Sequence, residues 1–127
     1  MAAMKDNRFV KGRLKSIFYS VKGAYRLVTS EHSIMVQFGL GILVSIAGFY
    51  FHISSTEWML QTFAIGLIMA IEGANTAVEK ICDFIHPGFN EKIGEIKDIA
   101  SGAVFFAAIT AVIIGVIIYY PKVAALF

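Results

Sequence analysis

Long apolar blocks dominate this chain, and polar residues are concentrated between them. Two stretches of 24 and 22 residues, 33–56 and 99–120, contain no Asp, Glu, Lys or Arg. At a rise of 1.5 Å per residue, a helix of either length crosses the ~30 Å hydrocarbon core of a bilayer. The pattern therefore predicts two membrane-spanning helices, at about 33–55 and 95–120.

A third apolar stretch, residues 58–71, is shorter, with 14 residues before Glu72. Alone it is too short to cross a bilayer as a helix. It spans only if the helix continues through the polar residues that follow, to about Ile85. We expect this continuation, which gives a second span at 57–85 and a turn at 86–90, where Pro87 disfavours helix.

The segment before the first span has helical periodicity. Between residues 5 and 29, apolar residues recur every three or four positions, and four basic residues form a neighbouring stripe. An apolar face beside a basic face is typical of a helix that lies in the lipid headgroup layer. We expect a surface helix at 5–29, then a polar hinge in which Ser30 caps the next helix.

Composition and charge support a membrane location. The chain is 57% hydrophobic, with a mean hydropathy of +0.72. Basic residues lie in the N-terminal segment and near Lys92 and Lys97, whereas residues 52–57 have none. The positive-inside rule then places the N-terminus in the cytoplasm and 52–57 outside. The basic residues show no interleaving with aromatic residues, so no nucleic-acid partner is expected.

The segment after residue 71 concentrates polar groups on one helix face. Relative to Glu72, at about 100° per residue, Asn75, Glu79 and Asp83 lie near −60°, −20° and +20°. Carboxylates in or near a membrane are costly unless they are paired, protonated or metal-bound, so they usually mark a functional site. We call these four residues the polar column.

Two interpretations of the polar column remain open from the residues alone. Glu79 and Asp83 could sit at headgroup level and pair with Lys80, Lys97 or the basic surface helix. Alternatively the column could serve Mg²⁺, which takes carboxylate oxygens together with waters and substrate phosphates. Glu31 lies at a depth from which it could join such a site, and Lys97 and Asp98 could act on the phosphate side.

Other common site chemistries have no support in the sequence. It contains no phosphate-binding GxxxxGK[ST] loop, no HExxH zinc helix and no GxSxG nucleophile elbow. The single cysteine, Cys82, excludes an intramolecular disulfide and is expected to be a packing residue.

The segment EGANTAVEKICDF, followed by KDIASGAV, resembles the prokaryotic diacylglycerol kinase family, which includes undecaprenol kinases. The family pattern E-x-x-N-[ST]-A-[IV]-E-x-x-x-D is matched at 72–83, and K-D-x-[AG]-[SA]-[GA]-A-V is matched at 97–104. The resemblance covers nearly the whole chain. It implies an all-α membrane protein made of one domain, 1–127, with a surface helix and three transmembrane helices. It also implies a homotrimeric bundle with shared active sites in the bacterial inner membrane.

The resemblance also implies roles for individual residues. Glu72 resembles the catalytic base, Asn75 the active-site asparagine, and Glu31 and Glu79 the Mg²⁺ ligands. The residues implied for ATP binding are Tyr19, Ser20, Glu31, Glu79, Asp83, Lys97 and Asp98. The chain departs from the family at two places. The family's surface-helix arginine aligns with Gly12 rather than Arg13, and Gln37 stands where some members have a second acidic residue, so neither position is given a role.

The implied activity is Mg²⁺-dependent transfer of phosphate from ATP to the hydroxyl of a membrane lipid alcohol, either undecaprenol or diacylglycerol. The stretches EWML and IIGVIIYYPK look more similar to members that act on undecaprenol. A different class of function, a small proton- or ion-conducting transporter, would use the polar column as a relay. It would leave the basic surface helix, Lys97 and Asp98 without a role. A structural partner subunit would leave the polar column unexplained.

Overall fold

The computed structural model describes residues 2–127, with side chains from residue 7 onward. Across these residues the chain forms four α-helices and no strand, which confirms the expected all-α class. The helices are α1 (Ala2–Ser30), α2 (His32–Tyr50), α3 (Ser55–Ile85) and α4 (Glu91–Ala124).

The structure divides into two compact units. The N-terminal unit ends at Met35, and the second unit is Val36–Phe127. The second unit holds most of α2 and all of α3 and α4, and α3 packs along α4. Its buried positions on α3 include Gln61, Ala64, Ile68, Glu72 and Thr76. Their spacing of three or four residues makes one helix face, so Glu72 belongs to the packed side of α3.

The hinge between α1 and α2 is shorter than the sequence suggested. Only Glu31 lies outside a helix, and its carbonyl accepts a hydrogen bond of 3.0 Å from the Met35 amide. The expected cap at Ser30 is wrong, because Ser30 is the last residue of α1. The Glu31 carbonyl is therefore the acceptor of the first backbone hydrogen bond of α2.

The connection from α2 to α3 is a tight turn. The α2 helix ends at Tyr50, His52 adopts a positive φ of 51°, and the Ile53 amide donates to the Gly48 carbonyl at 3.1 Å. Ser54 then caps α3 through a reciprocal capping box with Glu57. A capping box satisfies two backbone donors that the first helical turn leaves without partners.

Two further boundaries enclose α4. Asn90 caps its start, since the Asn90 side chain accepts from the Ile93 amide at 3.2 Å. The helix continues through Pro121 to Ala124, past residue 120 where the predicted span ends. A proline near a helix end removes only one late hydrogen bond. Here the Lys122 ammonium also donates to the Ile118 carbonyl at 3.1 Å.

Two helices, α2 and α4, are long and apolar enough to cross a membrane. Both present large apolar side chains on their exposed surfaces, such as Phe49, Phe106 and Ile117. Contiguous apolar surface of this kind suits lipid or a neighbouring helix better than water. The charged residues of α4 lie near its two ends, whereas Glu72 interrupts the apolar part of α3, so the role of α3 as a span stays a prediction.

Candidate active site

Glu72 is the buried member of the polar column. Glu72 is 9% exposed, and its Oε1 accepts a hydrogen bond of 3.4 Å from Nε2 of Gln37. Gln37 is on α2, so this contact joins two helices from positions 35 residues apart. The sequence had left Gln37 without a role, although it is a polar side chain within an otherwise apolar span.

One turn further along α3, Asn75 and Glu79 form a second pair. The Asn75 Nδ2 donates to the Glu79 Oε1 at 3.2 Å. Asn75 Oδ1 is buried and has no hydrogen-bond partner among the residues that the structure describes. A carboxylate oxygen can only accept a hydrogen bond, so the amide nitrogen of Asn75, and not its oxygen, faces Glu79. The pair therefore offers an unused buried acceptor beside a carboxylate.

The third pair lies nearest the turn at 86–90. The Lys97 Nζ contacts the Asp83 Oδ1 at 2.6 Å, joining α4 to α3. The two side chains are 36% and 61% exposed, and such exposed ion pairs contribute little to stability, about 0–1 kcal/mol. One of the two open interpretations, in which Asp83 pairs with Lys97, is realised here. Asp98, the neighbour of Lys97, is exposed.

The polar column therefore changes character along α3. Glu72 is packed against α2, Asn75 is half-buried, and Glu79 and Asp83 are exposed. A helical wheel places these residues on one face, but it says nothing about their depth. The column thus joins a buried carboxylate at one end to two solvent-accessible carboxylates at the other.

Three of the sequence-predicted site residues belong to the N-terminal unit. Tyr19 is 61% exposed, and the Ser20 hydroxyl donates to the Ser16 carbonyl of its own helix at 2.9 Å. Glu31 is half-buried in the hinge. On α1, Tyr19 and Ser20 therefore lie on accessible surface, as side chains that contact a soluble nucleotide must.

The donor set of the second unit suits a metal ion that arrives with phosphates. No cluster of three or more His, Cys, Asp or Glu side chains with metal-binding geometry occurs in the described part of the chain. Mg²⁺ does not need such a cluster, because it commonly binds through one or two carboxylates and takes its other ligands from substrate phosphates and water. The Glu79 carboxylate, oriented by Asn75, and the unused Asn75 oxygen fit this type of site.

The opposite end of the second unit holds a separate polar network. The Tyr119 hydroxyl hydrogen-bonds to the Gln61 Oε1 and lies 3.0 Å from the Val44 carbonyl, so α2, α3 and α4 meet there. Nearby, the Lys122 Nζ pairs with the Glu57 Oε2 at 2.6 Å. This network is far along α3 from Glu72 and links the helices without involving the polar column.

Between these two ends lies a cavity of about 320 Å³. Gln37 and Gln61 contribute polar groups to its wall, and the rest of the wall is apolar. The other lining residues are Leu40, Gly41, Val44, Ala64, Ile65, Ile68, Ala108, Ala111, Val112, Ile114, Gly115 and Ile118. The cavity is thus a largely apolar space that reaches to the residue contacting Glu72.

Comparison with known proteins identifies one family. The family model described as prokaryotic diacylglycerol kinase matches residues 18–119, which is most of the chain. A search of curated proteins finds no match. The matched segment contains every residue of the polar column as well as Lys97 and Asp98, and it confirms the resemblance seen in the two sequence motifs.

Proposed function

Because the chain belongs to the prokaryotic diacylglycerol kinase family and is a lipid kinase, we propose that it phosphorylates undecaprenol or diacylglycerol with Mg-ATP. The observation that carries the proposal is the depth gradient of the polar column. A buried carboxylate, Glu72, lies one turn from the half-buried Asn75, whose amide hydrogen-bonds to the exposed carboxylate of Glu79. A lipid hydroxyl arrives from the membrane and a nucleotide from water, so a transfer site needs both environments.

In this proposal Glu72 is the catalytic base. It accepts the hydroxyl proton while the lipid oxygen forms a bond to the γ-phosphorus of ATP and the bond to the bridging oxygen of ADP breaks. The products are the lipid phosphate and ADP, and the proton is on Glu72. Phosphoryl transfer depends on positioning and charge stabilisation more than on a covalent nucleophile, which suits a site without an activated Ser or Cys.

The accessible end of the polar column would bind the nucleotide. Glu79, together with Glu31, would hold Mg²⁺, which supplies positive charge to the ATP phosphates when it is bound. Asn75 orients Glu79 through its 3.2 Å hydrogen bond. Lys97 carries a positive charge suited to phosphate, and Asp83 holds the lysine in place at 2.6 Å. Asp98, Tyr19 and Ser20 complete the proposed ATP-binding set.

The proposed membrane arrangement is one domain, 1–127, with α1 as a surface helix and α2, α3 and α4 as spans. On α1, three apolar side chains at helical spacing, Leu14, Ile17 and Val21, are 61%, 60% and 63% exposed. They are available to enter the headgroup layer. The α3 helix has 31 residues, enough for about 46 Å at 1.5 Å per residue, and it packs along the apolar α4.

We further propose a homotrimer in the bacterial inner membrane, with the N-terminus in the cytoplasm and active sites shared between subunits. Exposed apolar residues on α2 and α4, such as Leu43 and Val116, offer surface for neighbouring subunits or lipid. Glu79 and Asp83 are exposed in a single chain, so a neighbouring copy has access to them.

The test is transfer of labelled γ-phosphate from Mg-ATP by the purified protein in mixed micelles, with diacylglycerol and undecaprenol offered separately and in competition. We expect transfer that Glu72→Gln abolishes and that Glu91→Gln leaves unchanged, because Glu91 is an exposed first-turn residue outside the site. Near-normal turnover by Glu72→Gln would remove Glu72 from its role. No transfer to either lipid would contradict the proposed activity, and ion flux in vesicles would then test the transporter alternative.

A further inference from the structure

Gln37 is the residue of α2 whose side chain reaches Glu72. Its Nε2 lies 3.4 Å from the Glu72 Oε1. Among the described residues, no other side chain hydrogen-bonds to Glu72. This leaves the second carboxylate oxygen, Oε2, without a protein donor. The contact joins a half-buried amide to a carboxylate that is 9% exposed.

We propose that Gln37 is a positioning residue for phosphoryl transfer, which holds one oxygen of Glu72 so that the other faces the lipid hydroxyl. This inference rests on the proposed function, since it requires Glu72 to be the base. It goes beyond that function by giving a role to a residue of α2 that neither sequence motif contains.

The amide group suits this role for two reasons. It donates a hydrogen bond to a carboxylate without adding charge. An amide also presents a carbonyl oxygen when it rotates, so Gln37 can accept a hydrogen bond from Glu72 after Glu72 has taken the lipid's proton. A glutamine therefore has a partner atom for Glu72 both before and after transfer.

The surroundings make the hydrogen bond consequential. Gln37 also lines the largely apolar cavity between α2, α3 and α4. In such an environment water is a poor substitute for a lost donor, and a carboxylate without partners is costly. Loss of the Gln37 amide should therefore leave Glu72 without a fixed orientation.

The test compares Gln37→Met with Gln61→Met in the mixed-micelle assay. Methionine keeps the length of glutamine but cannot donate, and Gln61 is the second glutamine of the same cavity, at the end away from Glu72. We expect Gln37→Met to lower kcat about tenfold, the effect of losing one hydrogen bond to a charged group. The KM values for Mg-ATP and lipid should stay within about twofold. Gln61→Met should keep kcat per folded protein unchanged.

A double variant separates positioning from packing. Gln37→Met added to Glu72→Asp, which keeps a carboxylate but shortens its side chain away from Gln37, should cause a smaller loss than Gln37→Met does alone, because the residue through which Gln37 acts is already altered. A merely structural role predicts additive losses and a change in KM.

The outcomes distinguish this inference from the proposed function. If Glu72→Gln is inactive and Gln37→Met turns over normally, Gln37 has no positioning role, while the role of Glu72 stands. If Glu72→Gln remains active, both the base assignment and the positioning role are overturned. A lower kcat for Gln37→Met with unchanged KM, and a smaller loss in the Glu72→Asp background, support the inference.

Discussion

At the scale of single residues, burial separates side chains that the helical wheel had grouped. Glu72 and Glu79 both lie in the polar column, yet one is packed against α2 and the other is exposed. A buried carboxylate suits proton transfer with a lipid hydroxyl, and an exposed one suits contact with a charged nucleotide. The difference in environment therefore supports different roles for two residues of the same type.

Replacement of the Glu79 carboxylate should change the Mg²⁺ concentration that the kinase needs. We expect Glu79→Gln to raise the Mg²⁺ concentration that gives half-maximal rate by about tenfold or more, because an amide is a weaker ligand for a hard cation than a carboxylate. The measurement is a Mg²⁺ titration of the kinase rate at fixed ATP. Glu91→Gln is the matched control, and an unchanged titration for Glu79→Gln would remove Glu79 as a metal ligand.

At the scale of helices, glycines and one polar network set how α2 meets its neighbours. A Cβ on Gly48 would lie 2.8 Å from the Trp58 ring and 3.0 Å from Ile53, whereas a Cβ on Gly39 would meet nothing within 4 Å. Of these two glycines in the second unit, Gly48 lies against Trp58 and Ile53, and Gly39 has no such neighbour.

Gly48→Ala should therefore destabilise the protein. Overpacking at a close contact typically costs about 1–3 kcal/mol, so we expect a lower Tm in detergent micelles. Gly39→Ala on the same helix should leave the Tm equal or slightly higher, because alanine favours helix. Equal Tm values for the two variants would show that α2 does not approach the Trp58 ring as closely as described.

The network around Tyr119 should contribute to stability but not to catalysis. Tyr119→Phe leaves the Gln61 Oε1 without its donor, and an unsatisfied buried polar group costs about 1–3 kcal/mol. We expect a lower Tm with kcat unchanged per folded protein. Tyr120→Phe is the control, since Tyr120 is 72% exposed. A loss of kcat in Tyr119→Phe with normal Tm would contradict this separation.

At the scale of the whole molecule, the open prediction is that α3 crosses the membrane. Its apolar part, residues 58–71, is short, and its second half carries the polar column. Packing along α4 allows it to cross, because the polar groups can face protein rather than lipid. If it crosses, the turns before and after α3 lie on opposite sides of the membrane.

Cysteine labelling tests this topology. In a Cys82→Ser background, Thr56→Cys should react with an impermeant thiol reagent added to intact spheroplasts, because residues 52–57 are expected outside. Phe89→Cys, at a position 96% exposed in the turn after α3, should react only after permeabilisation. Labelling of both sites from the same side would show that α3 does not cross.

The sequence by itself determined the helical class, two helices apolar enough to span a membrane, the shared face of the polar column and the family resemblance. These follow from local properties, namely apolar run length, helical spacing and motif identity, which need no knowledge of neighbouring helices. It misplaced the cap before α2, where Glu31 rather than Ser30 lies between the helices and its carbonyl accepts from the Met35 amide.

Only the tertiary structure decided which polar groups meet. The contacts of Gln37 with Glu72, Asp83 with Lys97, and Tyr119 with Gln61 join residues 35, 14 and 58 positions apart. A sequence pattern gives the face of each helix but not its rotation or height against the next helix. The rotation and height of each helix come from side-chain packing across the second unit. They place Gln37, which had no role assigned from the sequence, within hydrogen-bond distance of Glu72, the proposed base.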